Sequence, residues 1–519
     1  MSSKKKQVLR VRETLSFGSL HWQFPPSVRS FLARSLPLAT VFFMTLALIG
    51  WAFASPVGGS PDDDYHLPSI WCPSGGAEGE CPTRTVNDKV EVAAPEPIAR
   101  ASLCYAMHSE RSAECTLAFS EETSAYTARV DHGDYPPGFY DFHHLFASES
   151  AVNASVLWMR VLNVFVAVFG VAVVMALSPR AQRSEILMAL MLAWMPMGVY
   201  FVASNNPSSW SLSGIAIFAA ALFSAAQTEG KRQWFLSALA AFGALLACSS
   251  RADAAFYCFV VAVAFYARFP LSKKRIAPFI VSGAAAIIGV LIMRSTGHAG
   301  AIGATQVNHG VPFRRLVMSN LISLPEYFGG LYGHQWGPGW FDVPLQATST
   351  IGSMLVVGAG LFLGARSLDV RKTLSSIVLV GALGGIPVVM MVSQGYLKTY
   401  IYQPRYLLPL LAVFFLVWVS SSDRQALQLS SGQKAFFALV LSVVNAAALH
   451  SVMRRYITGT DLPSYDLNFQ KEWWWSMPIT PMMWWIFASG AFLVAITCAL
   501  HLIFTPQEKE KPHARLDAS

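Results

Sequence analysis

The chain has 519 residues, of which 54% are hydrophobic and only 13% charged. Soluble globular domains carry roughly 25% charged residues, so a soluble multidomain protein is excluded and a polytopic membrane protein is implied. The net charge of +8 lies in short basic clusters between apolar runs, which reads as topology information rather than as a nucleic-acid footprint.

Residues 1–35 form a basic arm with Lys4, Lys5, Lys6, Arg10 and Arg12, which positive-inside counting leaves in the cytoplasm. The first apolar run, 36–55, is long enough to cross a bilayer and does not read as a removable signal peptide. It delivers a long polar segment, 56–156, to the outside. That segment opens with Ser60-Pro61-Asp62-Asp63-Asp64-Tyr65-His66. Ionised groups in hydrocarbon cost several kcal/mol each, so three carboxylates here belong at a water interface or in a cleft opening onto one. Four of the seven cysteines follow as two close pairs, Cys72 with Cys81 and Cys104 with Cys115. On the oxidising side of a membrane such pairs suggest disulfides; metal ligation is the alternative, but neither pair has the C-x2-C spacing of a zinc knuckle. Cys248, Cys258 and Cys498 lie in or beside apolar runs and read as core thiols. His132, His143 and His144 read as polar loop residues, since neighbouring side chains on a regular element point apart.

From 157 onward the chain alternates apolar runs with short polar turns. Further spans fall at 157–178, 185–203, 210–227, 235–250, 254–268, 277–293, 347–365, 374–393, 406–420, 435–452 and 481–504, which makes about twelve with the first. The loops carrying Arg180 and Arg183, Lys231 and Arg232, Lys273 to Arg275, Arg366 with Arg371 and Lys372, and Arg424 with Lys434 then all fall in the cytoplasm. The tail 505–519 ends there too. A second outer loop covers 294–346. The expected fold is an all-α polytopic membrane domain over 36–504.

The outer turns carry the unusual residues, among them Asn206, Arg251, Asp253, Trp340, Asp342, Tyr402, Gln403, Arg405 and Arg455. Cations there oppose the positive-inside bias. Arg suits phosphate because its planar fork donates two parallel hydrogen bonds and stays charged. A carboxylate beside it can act as general base on an acceptor hydroxyl. The bland alternative is interfacial snorkelling of Arg among Tyr and Trp. Trp336, Trp340 and Trp473 to Trp475 read as an interfacial belt, with a sugar-stacking platform as the alternative.

These motifs carry a resemblance. Pro61-Asp62-Asp63-Asp64-Tyr65-His66, Asp134-Tyr135-Pro136-Pro137-Gly138-Phe139-Tyr140, Asn206-Pro207-Ser208, Gly339-Trp340-Phe341-Asp342-Val343-Pro344 and Gln403-Pro404-Arg405-Tyr406-Leu407-Leu408-Pro409 occur in the order of an uncharacterised family of predicted bacterial membrane proteins. That family resembles the integral-membrane glycosyltransferases of the GT-C class. The resemblance spans about 36–420, and Pro404 departs from it where a Gly is expected. It implies a hexosyl- or pentosyltransferase of the plasma (inner) membrane, crossing it many times, with both termini cytoplasmic. Such an enzyme moves a sugar from a polyprenyl-phosphate donor to a cell-envelope glycan or lipid acceptor, by inversion on the outer face. The catalytic acid is then Asp62 or Asp63, with Asp63 favoured and Asp64 adjacent. Arg405 and Arg251 are the expected phosphate ligands, and His66, Tyr135, Trp340, Asp342, Tyr402 and Gln403 the expected substrate contacts. No cofactor is expected, although three Asp with His66 could hold a hard divalent cation through oxygen. A lipid or polysaccharide transporter or flippase is the main alternative, and a non-catalytic envelope scaffold the other. Transporters concentrate polar groups near the bilayer midplane, often in two repeated halves. Here the polar chemistry lies at one mouth.

Overall fold

A computed structural model describes residues 26–76, 79, 81–296, 310–398, 402–421, 426–462 and 464–504. The terminal segments, Arg424 and positions 399–401, just ahead of Tyr402, lie outside the described residues.

Helix α1 (Pro26–Ala52) starts ten residues ahead of the apolar run and leads into the first outer segment. That segment is not plain loop. It holds α2 (Asp63–Trp71), α3 (Glu96–Tyr105) and α4 (Gly138–His144) around a small antiparallel sheet of β1 (Thr83–Val86), β2 (Lys89–Pro95) and β3 (Ser124–Thr127), in the order β1-β2-β3. Asn87 and Asp88, both at positive φ, turn β1 into β2 as a two-residue hairpin, the geometry these residue types favour. The sulfurs of Cys72 and Cys81 lie 1.96 Å apart and those of Cys104 and Cys115 lie 2.09 Å apart, so both expected pairs form at disulfide distance.

The bundle follows with α5 (Val152–Leu177), α6 (Arg180–Ala193), α7 (Met197–Val202), α8 (Ser208–Ala225), α9 (Lys231–Ser250), α10 (Ala252–Arg268), α11 (Ile276–Ser295), α12 (Phe313–Gly330), α13 (Ala347–Gly364), α14 (Val370–Ser393), α15 (Leu408–Trp418), α16 (Ser431–Ile457) and α17 (Pro481–Phe504). Among the described residues nine of these, α1, α5, α8, α9, α11, α13, α14, α16 and α17, are long and apolar enough to cross a membrane. The chain is therefore a mostly helical polytopic membrane protein. Three of the expected spans coincide with shorter helices: α6 and α7 have 14 and 6 residues, α10 has 17 and α15 has 11. Pro196, which has no N–H to donate, sits at the break between α6 and α7.

Every residue of α8 is buried, making it the hub of the bundle. Its closest neighbour is α9, and glycines permit the approach: a Cβ on Gly214 would lie 2.7 Å from the Ala247 nitrogen and 2.8 Å from the Gly243 oxygen. Small residues at a membrane helix crossing let the backbones meet in this way.

The basic turns converge at one end of the bundle and are spent on helix termini. Lys372 Nζ donates to the carbonyls of Gly364, Ser367 and Ser420 at 2.7–2.9 Å. Arg183 and Arg232 both reach the Ser178 carbonyl, and Arg275 reaches that of Ala226. Cations at helix C-termini answer the unpaired carbonyls and the dipole there. The sequence motifs gather at the opposite end.

Candidate functional site

The strap between α1 and α2 organises this end. A backbone outside helix or sheet must find partners for its carbonyls, and here side chains from six separate parts of the chain supply them. Arg160, buried in α5, donates to the carbonyls of Ala52, Ser55 and Pro56 at 2.7–3.0 Å. Tyr105 takes Val57, Trp340 takes Gly58, Tyr200 and Tyr456 both take Gly59, and Asn206 takes Pro61. Gly58 has φ +78, and a Cβ there would sit 2.9 Å from the Ser102 nitrogen, so only glycine fits. The strap ends on Asp62 at φ 60, a left-handed conformation that Asp tolerates better than most residues.

The three carboxylates then diverge. Asp62 remains 41% exposed and accepts from Arg405 Nη2 at 2.7 Å, with Arg129 3.8 Å away. Burial works to raise its pKa, but the guanidinium of Arg405, helped by Arg129, outweighs this and holds the carboxyl below the ordinary carboxylate value. Asp63 is fully buried. Its Oδ2 accepts the Ser60 N–H at 2.9 Å while Oδ1 has no partner, and burial pushes its pKa up to about 7 against the pull of Arg160. Asp64 forms a two-pronged pair with Arg129 at 2.9 and 3.2 Å. The sequence favours Asp63 as base, but burial withdraws it from any acceptor; the carboxylate open to the mouth is Asp62. His66 is buried with Nδ1 2.8 Å from the Tyr140 hydroxyl and Nε2 unpartnered, and burial lowers its pKa to about 3, so the ring is neutral.

Arg405 is the counterpart of Asp62. Its side chain is 3% exposed, and phenyl and phenol rings of Phe201, Phe341 and Tyr406 lie 5.2–5.6 Å from the guanidinium carbon. Nη2 serves Asp62, while Nε and Nη1 are buried with no hydrogen-bond partner. Unpartnered buried charge-bearing donors are costly, and native structures rarely leave them so without a ligand or solvent to meet them. Gln403 also presents a buried, unpartnered Oε1. Arg251 behaves differently from expectation: its fork closes on Asp253 with two bonds of 2.9 Å. It keeps only face contacts to Tyr406 and Tyr135, at 4.8 and 5.7 Å. Tyr135 joins Tyr65, His66 and Tyr140 in an aromatic wall with ring centroids 5.3–6.0 Å apart. Tyr402 pairs with the Tyr257 hydroxyl at 3.0 Å beneath it.

Two expected substrate contacts have their polar groups bonded within the chain. Trp340 spends its indole N–H on the strap, as above. Asp342 accepts from Arg455 at 2.6 Å, from the Met107 N–H and from the Trp340 N–H, and both partners of the ion pair are buried. His143 is not a loop residue: it is buried in α4 between the Phe139 carbonyl and Asn163. Trp475 donates to the Phe53 carbonyl, and Trp473 and Trp474 are buried. Among the described residues no three His, Cys, Asp or Glu side chains converge as a metal site would require, because the Asp triplet fans out towards three different arginines. The residues that sequence reasoning missed are Arg129 and Arg160. An Arg inside the apolar run Leu157–Val164 was a legible signal for the second; nothing local marks the first.

A family model described as "Predicted membrane protein (DUF2142)" matches residues 43–414. No curated protein matches the chain. The matched region begins within α1, takes in the strap, Asp62 and the aromatic wall, and ends beyond Arg405, so the chain belongs to this family of predicted membrane proteins.

Proposed function

We propose that the chain is an inverting, GT-C-type glycosyltransferase that takes its sugar from a polyprenyl-phosphate donor at the outer mouth of the bundle. The observation that carries the reading is the half-open pair of Asp62 and Arg405: an exposed carboxylate held ionised beside a buried guanidinium with two unspent N–H groups. The phosphate of the donor meets an unspent N–H of Arg405, at Nε or at Nη1, and the fixed positive charge of the guanidinium. Asp62 takes the proton of the acceptor hydroxyl as its oxygen attacks the anomeric carbon. The bond from that carbon to the phosphate oxygen breaks from the opposite face, and the phosphate leaves with the electron pair, stabilised by Arg405. Asp63 supports the strap from behind, and His66 the aromatic wall. Arg251, neutralised by Asp253, backs the aromatic wall instead of binding phosphate.

In this reading α6 with α7, α10 and α15 complete twelve crossings of the plasma membrane, and the basic turns and both termini face the cytoplasm. Cysteine introduced at Ser74 then labels from outside, and at Lys231 or Lys274 only after permeabilisation; outside labelling at Lys274 refutes the orientation. The activity is tested by transfer from a polyprenyl-phosphate sugar in detergent, with donor binding measured alongside. Arg405→Lys keeps the charge and loses the fork, so donor affinity weakens before turnover does. Absence of transfer by the wild type ends the transferase reading, and full transfer after substituting Asp62, Asp63 and Asp64 in turn ends the carboxylate-base mechanism.

A further inference from the structure

Beside the Asp62–Arg405 pair, a separate cleft opens between the 333–345 loop and residues 107–109 of the first outer segment. It has a volume of about 590 Å³ and is lined by Met107, Ser109, His334, Gln335, Phe341 and Asp342, among others. That is within the roughly 300–1,000 Å³ of small-ligand sites. We infer that this cleft binds a neutral, polyhydroxylated glycan, and that the transferase's acceptor is therefore a glycan and not a lipid. The acceptor assignment rests on the function proposed above; the binding itself does not.

Three observations support it. The cleft carries no net charge to satisfy. Its one carboxylate, Asp342, is spent on Arg455 and two backbone N–H groups, and no Lys or Arg lines it. An anionic ligand would find no cation and a cationic one no free carboxylate, whereas hydroxyls find Ser109, Gln335, His334 and exposed backbone. The lining also mixes these groups with aromatic surface. Phe341 meets Trp336 edge-on with centroids 5.4 Å apart, and lies 5.2 Å from the Arg405 guanidinium carbon. One side chain thus belongs both to the cleft wall and to the donor side. Finally, the loop holds strained backbone. Phe341 has φ 62 and Gln335 has φ 60, positions that a bulky residue occupies only when its surroundings over-determine it, as at ligand clamps. A lipid would ask for a different lining. The cavity of about 430 Å³ between α1, α5, α6 and α17 has one, with Met44, Val171, Leu190 and Phe492 and few polar side chains.

The test uses the full chain in detergent. The probes are neutral trisaccharides of glucose, galactose, mannose and arabinose, with a trigalacturonate as the anionic control, and binding is followed by saturation-transfer NMR and calorimetry. Two variants address the cleft. Ser109→Trp fills it from the surface, and Phe341→Gly removes the ring at a φ that glycine adopts freely. At least one neutral trisaccharide binds the wild type, and each variant weakens that binding tenfold or more. The inference is overturned if no neutral probe binds, if trigalacturonate binds better, or if both variants bind as the wild type does. The acceptor assignment has its own arm: unimpaired transfer to a lipid acceptor in Ser109→Trp overturns it while leaving the transferase intact. Glycan binding with both variant effects but no transfer from a polyprenyl-phosphate sugar keeps the cleft and sinks the transferase.

Discussion

Two Asp–Arg pairs lie at the same end of the bundle, and their chemistry differs although their lengths do not. Asp342 and Arg455 meet at 2.6 Å with side chains 4% and 0% exposed; Asp62 and Arg405 meet at 2.7 Å with 41% and 3%. Around the first pair only the Arg455 Nε is left without a partner. Arg455 also donates to the carbonyls of Tyr105 and Arg111, and Asp342 also accepts two backbone N–H groups. Around the second, Asp62 keeps open carboxylate surface and Arg405 keeps two idle donors. A buried pair recovers its desolvation cost only through such extra bonds. The closed pair therefore ties the 340s loop to α16 and to the first outer segment, while the half-open pair retains capacity for something that is not protein.

That contrast breaks most visibly in turnover. Asp62→Asn keeps shape and polarity but cannot accept a proton, so transfer falls by about 10²–10⁴ with donor binding largely kept. Asp342→Asn leaves the turnover of whatever protein remains folded within a few-fold of wild type. Equal losses of turnover in both variants would abolish the distinction between the pairs. In stability the order reverses. Arg455→Met leaves the Asp342 carboxylate buried and unpaired, and lowers unfolding stability by about 3–5 kcal/mol. Arg405→Met, beside a carboxylate that water already reaches, lowers it by less than half as much. Thermal and denaturant melts in detergent read both.

A smaller effect sharpens the closed side. The Cys104–Cys115 bond closes an 11-residue separation, and the segment within it supplies the Tyr105 and Arg111 carbonyls to Arg455. Replacing both cysteines by serine costs about 2–3 kcal/mol, and the loss is less than additive with Arg455→Met because the two share one network. Cys72 and Cys81, away from that network, add independently. Non-reducing peptide mapping checks the pairing itself.

The membrane class, the segregation of basic turns to one end and both cysteine pairs were legible in the sequence, because hydropathy, charge and spacing are local signals. So was the placing of Asp62, Tyr135 and Arg405 at one end of the bundle, because their motifs all fall on outward turns. Which carboxylate faces the mouth was not. Asp62, Asp63 and Asp64 look alike in a line of text, and their fates depend on the left-handed turn at Asp62 and on three arginines from distant segments. That the polar groups of Asp342 and Trp340 are bonded within the chain was not legible either, because a polar residue in an outer motif reads the same whether it meets a ligand or a backbone. The small sheet was missed because only the Asn87-Asp88 turn announced it. The lengths of four helices exceeded what hydropathy resolves: α10 and α15 have 17 and 11 residues, and Pro196 splits the run at 185–203 into α6 and α7.

The last contrast lies behind the strap, between Asp63 and His66, which are both buried and both neutral near pH 6 through shifts of opposite sign with one cause. Burial raises Asp63 from the ordinary 3.8 to about 7 and lowers His66 from 6.5 to about 3. Between about pH 4 and 7 folded Asp63 holds a proton that the unfolded chain has lost, so its contribution to stability falls as pH rises. Between about pH 3 and 6.5 folded His66 lacks a proton that the unfolded chain binds, so its contribution rises with pH. Each slope is about 1.4 kcal/mol per pH unit with opposite sign, and in the wild type they nearly cancel from about pH 4 to 6.5. Removing one group exposes the other. Measured as variant minus wild type, the stability of Asp63→Asn climbs by about 1.4 kcal/mol from pH 5 to 6, and that of His66→Gln drops by a similar amount. The double variant shows neither tilt. Denaturant titrations at the two pH values check this, and a tilt of the same sign in both single variants would mean that at least one of the two groups is charged in its buried site.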